Sequence, residues 1–244
     1  MTDTNFTKQI YDKFAEKYHK KRQNPDENFY NLYIEMPAML SILKNRVKNM
    51  KVLDLGCGSG IFSKKLLQLG SNVVGLDLSK SLIDIARKEN PKIEFHIGDA
   101  KKTQFKKTSF DIVSSSLMIH YFNNLDPLFK EISRILKNNG TLVFSFHHPT
   151  SEVTDKVKMN GKNVSILNPY FHSNKYKWTM MKEMELISYH HTFETISKSL
   201  KKSGFLIEQI IEPKAILSGK KVNKQIYERC NNYPSFCIIV ALKK

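Results

Sequence analysis

Nine residues, Val52-Leu53-Asp54-Leu55-Gly56-Cys57-Gly58-Ser59-Gly60, constrain this chain more than any other stretch. An apolar run carries an acidic residue near its end, three glycines follow at alternate positions, and a helical pattern starts soon after. That is a strand entering a tight turn, where missing Cβ atoms let the backbone lie against a ligand. A dinucleotide loop of the NAD type needs Gly-x-Gly-x-x-Gly. The position its third glycine would take is Ile61. The spacing is instead Gly-x-Gly-x-Gly, and Asp54 stands two residues ahead of it. A carboxylate there repels a pyrophosphate and suits a ligand bearing a cationic or ammonium group.

Around this loop the chain alternates strand and helix signals, the pattern of a doubly wound α/β sheet. Apolar runs at 73–78, 93–97, 110–117 and 140–146 read as strands. Between them, Leu66, Leu67 and Leu69 mark a helix stopped by Gly70, and Ser79 caps a helix whose inward face is Leu82, Ile83 and Ala86. Asp126-Pro127 reads as a cap followed by proline at the first helical position, and Asn138-Asn139-Gly140 as that helix's end. Asp77 follows Gly60 by 17 residues and Asp99 follows Asp77 by 22, each at the carboxyl end of an apolar run. Ligands of open α/β sheets bind at that edge.

These stretches resemble the class I S-adenosylmethionine-dependent methyltransferases, closely over residues 51–149 and more loosely outside them. The resemblance implies a seven-stranded, mostly parallel sheet whose last strand, 236–241, is antiparallel. It implies that the loop residues Asp54, Gly56, Cys57, Gly58 and Gly60 cradle S-adenosylmethionine. Asp77, with Leu78 after it, would hold the ribose hydroxyls, since two acceptor oxygens match two vicinal donors. Asp99, beside Ala100, would accept from the adenine amino group, and Ser115 and Ser116 on the fourth strand would run under the cofactor. Tyr11-Asp12-Lys13-Phe14-Ala15-Glu16-Lys17-Tyr18 resembles the lead-in where a tyrosine, here Tyr18, reaches the methionyl part. One domain is expected: a helical cap at 1–48, the core at 51–149, a substrate-side insertion at 150–189, and a helix with strands at 190–244.

Length allows one sizeable core, and no run of about 18 apolar residues exists to span a bilayer. The first residues lack the basic-then-apolar profile of a secretory leader, and three cysteines form neither metal spacing nor a paired framework. A cytoplasmic protein without a metal is the expectation, as monomer or homodimer. The net charge of +16 raises nucleic acid as a partner. Of 39 basic residues only five are arginine (Arg22, Arg46, Arg87, Arg134, Arg229), and the excess is spread along the chain. Phosphate and base recognition favour the guanidinium fork, so a small molecule is the preferred partner.

Methyl transfer from a sulfonium needs alignment and exclusion of water, plus a base only where the nucleophile carries a proton of high pKa. Three histidines are candidates. His120 follows the fourth strand. His148, in Phe146-His147-His148-Pro149, matches the histidine of a Glu-His-Pro signature in a bacterial subgroup, where His147 replaces the acidic residue. His190, in Tyr189-His190-His191-Thr192, keeps a Tyr-His-Arg-Thr pattern in which His191 replaces arginine. Amino-methylating DNA enzymes carry an Asn/Asp-Pro-Pro-aromatic motif where this chain has Ser114-Ser115-Ser116-Leu117, and no cysteine is placed for cytosine-C5 chemistry. The resulting expectation is methylation of an oxygen or nitrogen of a small metabolite. The alternatives are an RNA-modifying enzyme using the lysine-rich surface and a non-catalytic S-adenosylmethionine-binding module.

Overall fold

A computed structural model describes residues 3–160, 162–172 and 175–244. Its centre is a seven-stranded sheet built from β1 (Lys51–Leu55), β2 (Asn72–Asp77), β3 (Glu94–Ile97), β4 (Phe110–Ser115), β5 (Leu136–His147), β10 (Phe205–Ile211) and β11 (Phe236–Lys243). The spatial order is β10-β11-β5-β4-β1-β2-β3, and β11 runs against the direction of the other six. The expected sheet and its reversed last strand are both present.

Alternation along each strand feeds two separate cores, because successive side chains point to opposite faces. Leu53, Val113, Leu142, Phe144 and Ile239 meet α5 (Asp126–Ile135) and α7 (Phe193–Lys202) on one face. Val52, Ile112, Val143 and Ile238 meet α2 (Met36–Leu43), α3 (Ile61–Gln68) and α4 (Lys80–Glu89) on the other. Both faces are therefore covered, as a parallel sheet requires. The order in which strands are added reverses between β1 and β4, which run parallel, so a crevice opens at their carboxyl ends.

Local signals hold with two corrections. Ser79 caps α4, its Oγ accepting from Leu82 N–H. Asp126 is not a cap: it lies inside α5, the preceding Leu125 holds the cap position, and Asp126 instead accepts from Ser199 Oγ and pairs with Lys202. That helix also ends earlier than Asn138-Asn139-Gly140 suggests, because Leu136 is already paired to Phe110 in β5.

Two regions surround the crevice. Helix α1 (Asp3–Gln23) lies against α4 and is followed by a π-helical turn, Asn31–Glu35, that leads into α2. Residues 150–189, expected as a substrate-side insertion, follow the short helix α6 (Pro149–Glu152) with two hairpins, β6 (Thr154–Met159) with β7 (Lys162–Leu167), and β8 (Lys175–Met181) with β9 (Met184–Tyr189). In β8 the alternation is real: Lys175, Lys177 and Thr179 are exposed while Tyr176, Trp178 and Met180 turn inward. Lysine stems and a run of only seven residues dilute that signal. The short helix α8 (Gly219–Val222) and α9 (Lys224–Asn232) complete the fold. Among the described residues no helix is long and apolar enough to cross a membrane.

Candidate active site

The glycine loop folds back over β2. Gly56 and Cys57 both donate their N–H to the Leu76 carbonyl, at 2.8 and 3.1 Å. Gly58 sits at φ +53° and donates its N–H to Asp77 Oδ2 at 2.8 Å; a Cβ there would find only Tyr18, 3.8 Å away. Its surroundings are open because it faces the cavity. Gly60, at φ +76°, is crowded: a Cβ would lie 2.9 Å from Phe95 and 3.1 Å from Ala86. Gly60 does not line the cavity and serves the close packing of the loop on α4 and β3. Two glycines of one motif thus do different work.

The cavity measures about 610 Å³ and collects Tyr18, Asp54, Gly56, Cys57, Gly58, Asp77, Leu78, Asp99, Ala100 and Ser116 of the residues singled out from sequence. Ser115 is not among them: its side chain points into the sheet and donates to the Leu55 carbonyl at 2.9 Å. One wall is acidic. Burial pushes the Asp54 carboxyl up to about 7, reinforced by Asp77 and Glu35 and opposed by a hydrogen bond from Ser63 and by Arg22. Burial raises Asp77 as well, against the N–H donors of Ser79 and Gly58. A concave wall with too few cations for its carboxylates is an electrostatic seat for a positive ligand. Burial beside Asp77 also keeps the Cys57 thiol protonated.

This wall fits S-adenosylmethionine. Asp77 receives one N–H on each oxygen, from Ser79 on Oδ1 and Gly58 on Oδ2, which holds the carboxylate rigid with lone pairs to spare for vicinal hydroxyls. The glycine loop leaves the space beside Gly58 free, and the acidic surplus around Asp54 would balance a sulfonium and an ammonium.

The opposite wall is made of rings. His120, from a 3-10 turn at Ile119–Tyr121, stacks on His147 at the end of β5 with centroids 4.4 Å apart and planes at 15°. Trp178 of β8 stands edge-on to His147 at 5.6 Å. Tyr11 and Tyr121 join hydroxyls at 2.7 Å, with Tyr18 edge-to-face against Tyr11. His120 is 2% exposed and neither ring nitrogen has a partner. Burial drives its proton affinity well below the ordinary histidine range and that of His147 down to about 4. Both rings are neutral at physiological pH.

Two of the three histidines chosen from sequence lie elsewhere. His148 is one residue past His147, so the strand's alternation carries it to the far side, where Nε2 meets Glu212 at 2.8 Å and Nδ1 meets Thr150 at 2.7 Å. His190 bonds Glu152 and the Tyr170 carbonyl and does not line the cavity. The cavity-facing residue of the pair is His147, which the signature match passed over. Sequence reasoning also missed Glu35, fully buried, whose Oε1 accepts from Ser116 at 2.7 Å and Ser145 at 2.5 Å. A carboxylate inside Ile34-Glu35-Met36 was the available signal, since a charge in an apolar helical run needs partners. Arg22, at the end of α1, lines the cavity and lies 5.9 Å from the Tyr18 ring.

Known proteins agree with this geometry. A family model described as a methyltransferase domain matches residues 53–144. An uncharacterized protein of Haemophilus influenzae is 35% identical over 221 residues, 84% of this chain and 85% of the relative. A malonyl-[acyl-carrier protein] O-methyltransferase of Legionella pneumophila is 28% identical over 247 aligned residues, covering 92% and 82% of the two chains. The crystal structure of an S-adenosylmethionine-dependent methyltransferase from Mesorhizobium loti superposes with a TM-score of 0.75 at 27% identity, over 85% of this chain and 96% of that one. Loop, acidic wall and sheet order thus have one common explanation: the chain belongs to the S-adenosylmethionine-dependent methyltransferases and is an enzyme of that family.

Proposed function

We propose that the enzyme methylates an oxygen or nitrogen of a small metabolite held between the ring wall and the glycine loop. One observation carries this reading. His120 is buried with both nitrogens unpartnered inside the cavity, and a buried polar atom without a partner costs about 1–3 kcal/mol. An acceptor bearing O–H or N–H removes that cost. Neutral imidazoles suit the task because they can accept its proton.

When bound, the cofactor supplies an electrophilic methyl carbon attached to a sulfonium. Asp77, Asp99 and the loop backbone would hold its nucleoside end, while Tyr18 and Arg22 border its amino-acid end. The paired hydroxyls of Tyr11 and Tyr121 stay protonated, since burial raises both well above the usual phenol range, so they orient rather than attack. Helix α1 and strand β8 line the cavity, so an acceptor bound there exchanges water for their side chains, which strengthens the polar contacts it makes. The O-methyltransferase named for the Legionella relative favours oxygen as the accepting atom.

The test is transfer of isotopic label from S-adenosylmethionine to a panel of phenols, carboxylic acids and amines, with bulk tRNA in parallel. Label is expected in the small-molecule fraction. Label found in RNA alone, and lost at high salt, would replace this reading with RNA modification.

A further inference from the structure

Behind the ring wall lies a buried polar chain that the reading above does not use. His147 Nδ1 faces Glu152 Oε1 at 3.9 Å, an electrostatic contact longer than a hydrogen bond. The same Oε1 accepts from Tyr176 O–H at 3.0 Å, and Oε2 meets His190 Nδ1 at 2.8 Å. His190 Nε2 then meets the Tyr170 carbonyl at 2.9 Å. The side chains of Glu152 and His190 are 5% and 1% exposed.

The hydrogen bonds decide the protonation. Burial raises the Glu152 carboxyl, while the bonds from His190 and Tyr176 favour its ionised form. Facing that carboxylate and the Tyr170 carbonyl, both of which only accept, His190 is doubly protonated. Its proton affinity is raised first by the bond to Glu152 and further by that carboxylate's charge. Glu152 and His190 therefore form a buried ion pair with no net charge. That neutrality has a consequence for His147. A free carboxylate 3.9 Å away would attract a proton onto the ring, whereas a carboxylate already paired leaves it neutral, with burial holding it there. Among the described residues, the neutral His120 stacks on His147, and Trp178 and Phe236 pack against it.

We propose that Glu152, held in an ion pair with His190, is a positioning residue that turns Nδ1–H of His147 toward itself and leaves Nε2 as the proton acceptor for methyl transfer. This rests on the reading of an acceptor with an O–H or N–H. The acceptor's lone pair forms the new bond to carbon, the carbon–sulfur bond breaks with its electrons left on sulfur, and the acceptor's proton moves to His147 Nε2. The imidazolium so formed lies against Glu152, and its proton leaves to solvent with the product. His147 is then a catalytic residue, while His190 acts through Glu152.

The experiment is ring-nitrogen NMR of the full chain saturated with S-adenosylhomocysteine, which needs no acceptor. In the wild type, His147 is expected as the neutral Nδ1–H tautomer at pH 7 and His190 as the doubly protonated ring. Glu152→Gln and His190→Asn should then act in opposite directions. His190→Asn unpairs the carboxylate and should raise the proton affinity of His147 at least tenfold. Glu152→Gln should leave His147 neutral and abolish its tautomer preference. A merely structural pair would move neither signal. An Nε2–H tautomer or a neutral His190 in the wild type overturns the proposal without recourse to variants, as does an unchanged His147 in two folded variants. In the label-transfer assay, Glu152→Gln should lower turnover at least tenfold at unchanged S-adenosylhomocysteine affinity. If no small molecule is labelled while the NMR holds, the proposed acceptor class fails and the ion-pair assignment stands.

Discussion

Along the tips of β1, β2 and β3 the cavity is walled by backbone and carboxylates. Across from them, between His120 and Trp178, it is walled by rings carried on elements that lie apart from those three strands. The first wall is positioned by parallel hydrogen-bonded registers such as Asp54 with Gly75 and Asp77 with Ile97. The second depends on packing between α1, the 3-10 turn, the end of β5 and a separate hairpin. A ligand common to a whole family can be met by backbone geometry, and a ligand that differs between members by interchangeable side chains. Loops and insertions on a fixed scaffold are where such variation is tolerated.

The sharpest way to break this contrast lies within the glycine loop. Gly58→Val forces a β-branched residue to φ +53° in open space, so it should abolish S-adenosylmethionine binding by calorimetry, a loss above 100-fold, in a protein that still folds. Gly60→Val meets Phe95 and Ala86 and should instead lower stability by about 3 kcal/mol in urea titration. Equal effects from both would mean the loop is purely structural.

The ring wall has an acid signature. His147 binds a proton less readily when folded, at about 4, than its ordinary value of 6.5, so the unfolded chain takes up the proton first. Its contribution is complete above pH 6.5 and should be lost as pH falls toward 4, up to about 3 kcal/mol. His147→Phe should flatten that part of the stability curve, and a wild-type curve without the decline would place His147 in solvent.

On the acidic wall, Asp77→Ala removes a rigid acceptor pair and should weaken cofactor binding by roughly 1–3 kcal/mol with ring contacts unaltered; wild-type affinity would discount the ribose role. Asp54 sharpens the same point through pH. Its carboxyl is protonated below about pH 7 in the ligand-free cavity, and a cationic ligand draws it back to the charged form. Affinity for S-adenosylmethionine should therefore rise with pH by up to about tenfold per unit, then level off above 7. Asp54→Asn should erase the slope. The smallest effect is expected from His148→Ala, which breaks bonds to Glu212 and Thr150 outside the cavity and should cost about 1 kcal/mol of stability. Cofactor affinity unchanged to within twofold would confirm that His148 is remote from the site.

Legibility follows the same division. Asp54, Asp77 and Asp99 could be located because each ends an apolar run, and strand ends of a parallel sheet converge on one edge. Gly60 was misjudged because the motif shows where glycine is needed but not whether a ligand or Phe95 fills the missing Cβ. His148 was preferred over His147 because a signature match does not report strand alternation, which turns adjacent residues to opposite sides. The hairpins at 150–189 escaped because short strands that pack by one face, interleaved with lysine, carry little periodic signal.

By itself, the order of apolar runs, glycines and carboxylates determined the doubly wound sheet and its ligand-binding edge, since those depend on local periodicity and on backbone groups near in sequence, while the reversed last strand was implied only by the family resemblance. Only the tertiary structure decided which histidine faces the cavity and that Glu35, Glu152 and His190 are buried partners. Those facts depend on contacts such as Ser145 with Glu35, 110 residues apart, and Glu152 with His190, 38 apart, which no local pattern encodes.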